Sequence, residues 1–259
     1  MNYFVEGLQG SGKSTLAKLL AEKHPGHKAL EEGDYSPVEL SWCAWMSEDD
    51  YQGILAEFPD LRSEIEAKSH HENGRVVVCY TKIRTDNHSF YRKLEEYEIY
   101  NNRTTLDAFK EIVLTRYRNW QEEDLIVECS LFQNIVEDMI LFRCMPDDEI
   151  IAFYREIKKA VGSREIQIMY LRTAPEDIRN NLEKARKERT DENGNEVWFG
   201  MLCDYFDHCL YAVRNGLHGA EGLVRHWEHR QELELRICEE VFPGQYKVLP
   251  SKNYDASAV

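Results

Sequence analysis

Gly7-Leu8-Gln9-Gly10-Ser11-Gly12-Lys13-Ser14 has the spacing G-x-x-x-x-G-K-[ST]. Phosphate oxygens are gripped by successive backbone N–H groups, which requires residues without a Cβ and is helped by the positive end of a helix dipole directly behind the loop. Gly7, Gly10, Ser11, Gly12 and Thr15 are the candidate cradle. Lys13 would bridge the outer two phosphates, and the Ser14 hydroxyl would ligate magnesium. The ligands expected are therefore ATP and Mg2+. This chemistry needs a strand before the loop and a helix after it. Tyr3-Phe4-Val5-Glu6 is β-prone, and Leu16, Leu19 and Leu20 recur at helical spacing. The plain alternative is a glycine-rich turn before an ordinary helix.

Phosphoryl transfer also calls for an acid near magnesium, for mobile arginines and, where the acceptor is a hydroxyl, for a base. Glu128 ends the apolar run Leu125-Ile126-Val127. A carboxylate there is costly without a cation or donor, so Glu128 is the candidate for the magnesium side, set against a carboxylate that simply emerges into solvent. Arg116 shares a helical face with Phe109, Ile112, Val113 and Trp120. It would hold an anionic substrate or the γ-phosphate, or make a structural ion pair. At 100° per residue, Arg179, Arg186 and Arg189 fall within about an 80° sector, which suits a lid closing over ATP or a solvated basic face. Cys203 to Cys209 and His226-Trp227-Glu228-His229 offer metal-like residues without a second pair at zinc spacing. Trp42, Trp45, Phe90, Tyr91, Tyr97 and Tyr100 are core aromatics or stacking platforms for a planar ring.

The elements that must position these groups follow from periodicity. Leu125–Val127 and Ile166–Leu171 read as parallel strands buried on both faces. Lys28–Glu32 and Tyr246–Leu249 are weaker strand candidates, and Val76–Tyr80 is strand-like. Thr173 and Glu176 have capping-box spacing, which predicts a helix from Pro175 toward Arg189. Asp191–Gly194 is a turn, and helical spacing runs from Phe199 to Val241 with a break at Gly216–Gly222. Strands alternating with helices give an α/β class with a central parallel sheet flanked by helices. One domain over 1–259 is expected, with a substrate-side insertion at about 35–103 and a lid at about 175–200.

Composition narrows the partners. The chain has 259 residues, 42% of them hydrophobic, enough for a substantial core. Its 47 acidic and 32 basic residues give a formal charge of −15, which repels polyphosphate backbones at long range and disfavours nucleic acid. Seven scattered cysteines without a C-x-x-C pair read as reduced cytosolic thiols. No apolar run reaches membrane-spanning length, and the first strand leaves no room for a targeting peptide. A cytoplasmic protein is expected, with a small-molecule acceptor as partner and a homodimer left open.

A nucleotide switch should carry N-K-x-D, but Thr81-Lys82-Ile83-Arg84-Thr85-Asp86 lacks both its asparagine and its spacing; L-S-G-G-Q is absent too. Phe4-Val5-Glu6-Gly7, followed by Gly10-Ser11-Gly12-Lys13-Ser14-Thr15, resembles the first strand and P-loop of the thymidylate kinase and deoxynucleoside kinase group. Arg116, Glu128-Cys129-Ser130 and the segment from Tyr170 to Glu176 fall in that group's order. The resemblance implies a three-layer P-loop NTPase-type fold with a sheet of about five strands and a helical lid. It implies ATP/Mg-dependent phosphorylation of a nucleoside, nucleotide or related small molecule. Glu31, Glu32 and Asp34 sit where the deoxynucleoside kinases hold the base for the acceptor hydroxyl; Glu32 is the first choice and Asp34 the second, with an exposed acidic turn as the alternative. Those families have arginine after the strand-end acid where this chain has Cys129. That departure keeps two other readings in play: a kinase of a non-nucleotide metabolite or antibiotic, and a non-catalytic nucleotide-binding regulator.

Overall fold

The computed structural model describes residues 1–252 and 254. In chain order, β1 (Asn2–Gly7) leads through the glycine segment into α1 (Lys13–Lys23), and β2 (Lys28–Leu30) follows. The middle stretch holds β3 (Ala44–Ser47), α2 (Glu48–Glu57), α3 (Arg62–Ala67), β4 (Ser69–Glu72), β5 (Arg75–Val78), α4 (His88–Glu95) and α5 (Leu106–Asn119). The chain continues with β6 (Leu125–Glu128), α6 (Gln133–Glu137, prolonged by a π turn), α7 (Asp147–Val161) and β7 (Ile166–Arg172). It ends with α8 (Pro175–Glu188), α9 (Val197–Asp207), α10 (Leu210–Asn215), α11 (Gly219–Val241) and β8 (Tyr246–Pro250). Two compact units result: Met1–Ala29 with Glu123–Val259, and Leu30–Glu122.

The first unit carries a five-stranded all-parallel sheet in the order β2-β6-β1-β7-β8. Parallel strands require crossovers, and helices supply them. Leu16 and Leu20 of α1 pack with Val5, Ile126, Met169 and Leu171 of the sheet. On the opposite face, Phe132 meets Tyr154 of α7 and Tyr170 of β7. β1 is the central strand, paired with β6 through Val5↔Glu128 and with β7 through Gly7↔Leu171. The strand order reverses on its two sides, and in open α/β sheets the crevice at the carboxyl end of such a strand is where ligands bind. The glycine segment leaves β1 there.

The second unit contains an antiparallel sheet, β3-β5-β4. Asn73 and Gly74 form its two-residue hairpin turn, both with positive φ (48° and 76°), as the twist of a tight hairpin demands. Its own core gathers Met46, Ile54, Ile65, Val76, Phe90 and Leu94, with Phe58 edge-on to Phe90 at 5.4 Å. This unit takes in the stretch expected as an insertion and extends through α5.

Several local expectations change. β2 stops at Leu30 rather than Glu32, and the run from Val76 ends as a strand at Val78, with Tyr80 opening a 3-10 turn. Thr173 and Glu176 form no capping box. The N-cap of α8 is Ala174 with Pro175 behind it, because the Thr173 N–H is taken by Gln231 Oε1 at 2.7 Å. α11 begins at Gly219 and includes Gly222, where a Cβ would lie 2.7 Å from the Phe206 ring. The expected polar tail falls largely outside the described residues. Among the described residues no helix is long and apolar enough to cross a membrane.

Gly7 marks the tightest point of the sheet. A Cβ there would lie 2.6 Å from the Leu171 carbonyl oxygen, and its φ of +138° is outside the range other residues adopt. Gly7→Ala is expected to lower stability by about 2–5 kcal/mol, the sum of overpacking and backbone strain. Urea unfolding measures this, and a variant within about 0.5 kcal/mol of wild type would contradict the close β1–β7 junction.

Candidate functional site

The loop from Gly7 to Ser14 turns on glycines, with φ of +75° at Gly10 and +101° at Gly12. Gly12 is the left-handed N-cap of α1, so no side chain caps this helix, and its first turn has no acidic residue. A lysine at the first helical position also opposes the dipole. The first turn of α1 therefore supplies neither a cap nor an acid of its own to the positive end of the helix.

Lys13 is buried, at 6% exposure, and uses all three protons on Gly7 O (3.0 Å), Leu8 O (3.0 Å) and Gln133 Oε1 (3.1 Å). The Ser14 hydroxyl donates to Glu128 Oε1 at 2.8 Å. The pairing of β1 with β6 creates this contact by bringing the end of β6 beside the loop. The two residues expected on the magnesium side thus meet.

Beneath the loop lies a buried network that sequence reasoning missed. Glu6 is fully buried and accepts the Leu131 N–H at 2.7 Å. Burial, reinforced by Glu234, pushes its carboxyl up to about 8 despite Leu131 and Lys13. Gln9 donates to Glu137 Oε1 at 3.0 Å, and Arg230 of α11 pairs with both Glu137 and Glu234. Burial works against the Glu137 carboxylate, yet Arg230, His226 and Gln9 together hold it down at about 2. Glu234 in turn accepts the Tyr170 hydroxyl at 2.6 Å. Charged residues on a long helix ordinarily read as surface, so only the i, i+4 spacing of Arg230 and Glu234 hinted at a pair. Cys129, at the position where arginine was expected, is buried in a left-handed turn (φ 59°), with its thiol 3.5 Å from Gln133 Oε1.

The α8 arginines are engaged away from the loop. Arg179 pairs with Glu221 at 2.5 Å, Arg186 bonds Glu196 at 2.6 Å and stacks on Phe199, and Arg189 lies over Trp198.

In the second unit, Asp34 closes the acidic turn by accepting the Glu31 N–H at 2.9 Å and pairs with Lys82 at 3.1 Å. Glu32 is half-buried, and its charge adds to the burial that pushes the nearby Glu39 carboxyl up to about 7. Glu39, not singled out from sequence, accepts the Tyr100 hydroxyl at 2.5 Å. Arg116 pairs with Glu72 and donates to the Ser36 carbonyl. It borders a cavity of about 350 Å3 together with Tyr35, Trp45, Glu72, Arg75 and Asn119. Phe90 and Tyr100 are core residues, whereas Trp42 is exposed.

Glu6 titrates near 8 in the folded chain and near 4.5 when unfolded, so the folded state keeps a proton that the unfolded state releases. Its contribution is intact below pH 4.5 and lost as pH rises to about 8. Glu6→Gln retains an acceptor for Leu131 and removes this loss. Relative to wild type, the variant should gain at least about 1 kcal/mol between those two pH values in urea unfolding. A constant difference across the range would contradict the assignment. Comparison of the sequence with models of protein families gives no match, and a search of curated proteins finds no significant relative.

Proposed function

We propose that the chain is an ATP- and magnesium-dependent phosphotransferase of the P-loop kinase type, acting on a nucleoside, a nucleotide or a related small molecule. The observation that carries this reading is the 2.8 Å contact of the Ser14 hydroxyl with the Glu128 carboxylate, beside an uncapped helix N-terminus at the reversal point of a parallel sheet. The residues fit the groups they would hold. The glycines give backbone room, Lys13 brings an ammonium to the loop, and Ser14 with Glu128 offers the hard oxygen donors magnesium takes. Bound magnesium neutralises phosphate charge.

In this reading, Lys13 exchanges Gly7 O, Leu8 O and Gln133 for phosphate oxygens. Gln133 and Cys129 orient the ammonium, and the Arg230–Glu137 pair, which accepts Gln9, braces the loop. Arg179, Arg186 and Arg189 act as lid cations by giving up their present partners. Glu32 and Asp34 are the candidate bases for an acceptor hydroxyl. Arg116, with both terminal nitrogens engaged, orients a neighbour rather than carrying a free charge. The buried thiol at 129, where those kinases carry an arginine, is the observation behind a second reading, a kinase of a non-nucleotide metabolite or antibiotic on the same scaffold.

The test is ADP formation from Mg-ATP with a panel of nucleosides, nucleoside monophosphates and aminoglycoside-type alcohols. One class should raise ADP above background, and Lys13→Ala should lower that rate at least ~100-fold by removing charge stabilisation. Acceptor-independent background with every class, or full turnover in Lys13→Ala, would reject the proposal.

A further inference from the structure

The α8 arginines are held by Glu221, Glu196 and Trp198, whereas a second lysine besides Lys13 lies at the loop itself. β8 ends against the glycine loop. The Ser251 N–H donates to Arg172 O at 2.7 Å and its hydroxyl to Ser11 O at 2.8 Å, which ties the end of β8 to both β7 and the loop. Lys252 follows in the left-handed region (φ 64°), and its side chain runs past Gly12: a Cβ there would lie 3.7 Å from the Lys252 Cγ. Its ammonium donates to Asn181 Oδ1 of α8, and Asn181 itself packs 3.5 Å from where a Cβ of Gly10 would sit. Residues 10, 11 and 12 are therefore spanned by Asn181, Ser251 and Lys252.

The chemistry of this contact differs from that of the arginines. Among the described residues no carboxylate lies within ion-pair distance of Lys252, whose ammonium is bonded to a neutral amide oxygen. An ammonium held beside a phosphate-type loop by a neutral acceptor keeps its charge for an anion, at the end of a helix whose first turn carries no acid of its own. That distance is ordinary van der Waals contact, so the lysine stem lies directly against the loop at Gly12.

We infer that Lys252 is a second polyphosphate-binding cation of this site, positioned by Asn181 and Ser251 and exchanging Asn181 for a phosphate oxygen. The inference rests on the reading of the glycine loop as a polyphosphate site. Calorimetric titration of the full chain with Mg-ATP and with ADP tests it in Lys252→Met, Lys252→Arg and Lys13→Ala. Lys252→Met should bind both nucleotides about tenfold more weakly, the scale of one charge-assisted hydrogen bond. Its affinity should also fall less between about 0.05 and 0.3 M salt. Lys252→Arg should stay within about threefold of wild type, and both variants should keep the wild-type thermal midpoint. Unchanged nucleotide affinity in Lys252→Met, with affinity lost in Lys13→Ala, overturns the inference and leaves the loop reading standing. A loss with unaltered salt dependence means that packing rather than charge was removed, and also overturns it. Unchanged affinity in Lys13→Ala as well brings down the loop reading itself.

Discussion

The ammonium of Lys13, held by two carbonyls of its own loop and by Gln133, is the interaction around which the first unit is arranged. A buried cation is tolerated only where its protons are satisfied, and here the loop satisfies them by curling back on itself. That curl requires glycine at 7, 10 and 12, where φ is positive, and it places the N-terminus of α1 at the carboxyl end of the central strand. The sheet order then decides which side chains can reach it. β6 lies beside β1, so Glu128 meets Ser14; β7 lies on the other side, so its continuation into α8 brings Asn181 to Gly10.

Holding a charged loop over an apolar sheet has consequences below it. Glu6, Glu137 and Glu234 are carboxyls within one small region, and Arg230 alone cannot neutralise them all. The chain resolves this by splitting their acidities. Glu137, close to Arg230, Gln9 and His226, stays strongly acidic, while Glu6, buried and near Glu234, keeps its proton up to about pH 8. Like charges in a low-dielectric region separate in this way because one of them must give up its charge. Gln9 hangs on Glu137, so the loop is braced through an ionised carboxylate. A hydrogen bond to a charged acceptor is worth more than a neutral one.

Much of the scaffold was legible in the sequence. Uninterrupted apolar runs such as Leu125–Val127 and Ile166–Leu171 identify strands covered on both faces, and the glycine spacing identifies the loop. The second unit was less legible because its strands are four residues long and one of them, Ser69-His70-His71-Glu72, has no apolar residue to alternate. Its pairing with Arg75–Val78 is decided by the Asn73-Gly74 turn. The capping-box expectation failed because a tertiary partner, Gln231, reached the Thr173 amide first. Pattern reading also finds glycine loops better than buried charges. Arg230 sits on a mixed helix and Glu39 on a polar-looking turn, and only their contacts give them meaning.

Amide hydrogen exchange with and without magnesium and a non-hydrolysable ATP analogue tests the central claim most directly. If the backbone from Gly7 to Ser14 grips a polyphosphate, exchange slows most in peptides covering 7–16 and, through Glu128 and Gln133, in those covering 128–133. Slowing confined to other segments, with exchange at 7–16 unaltered, would place the nucleotide elsewhere and remove the basis of the proposed activity.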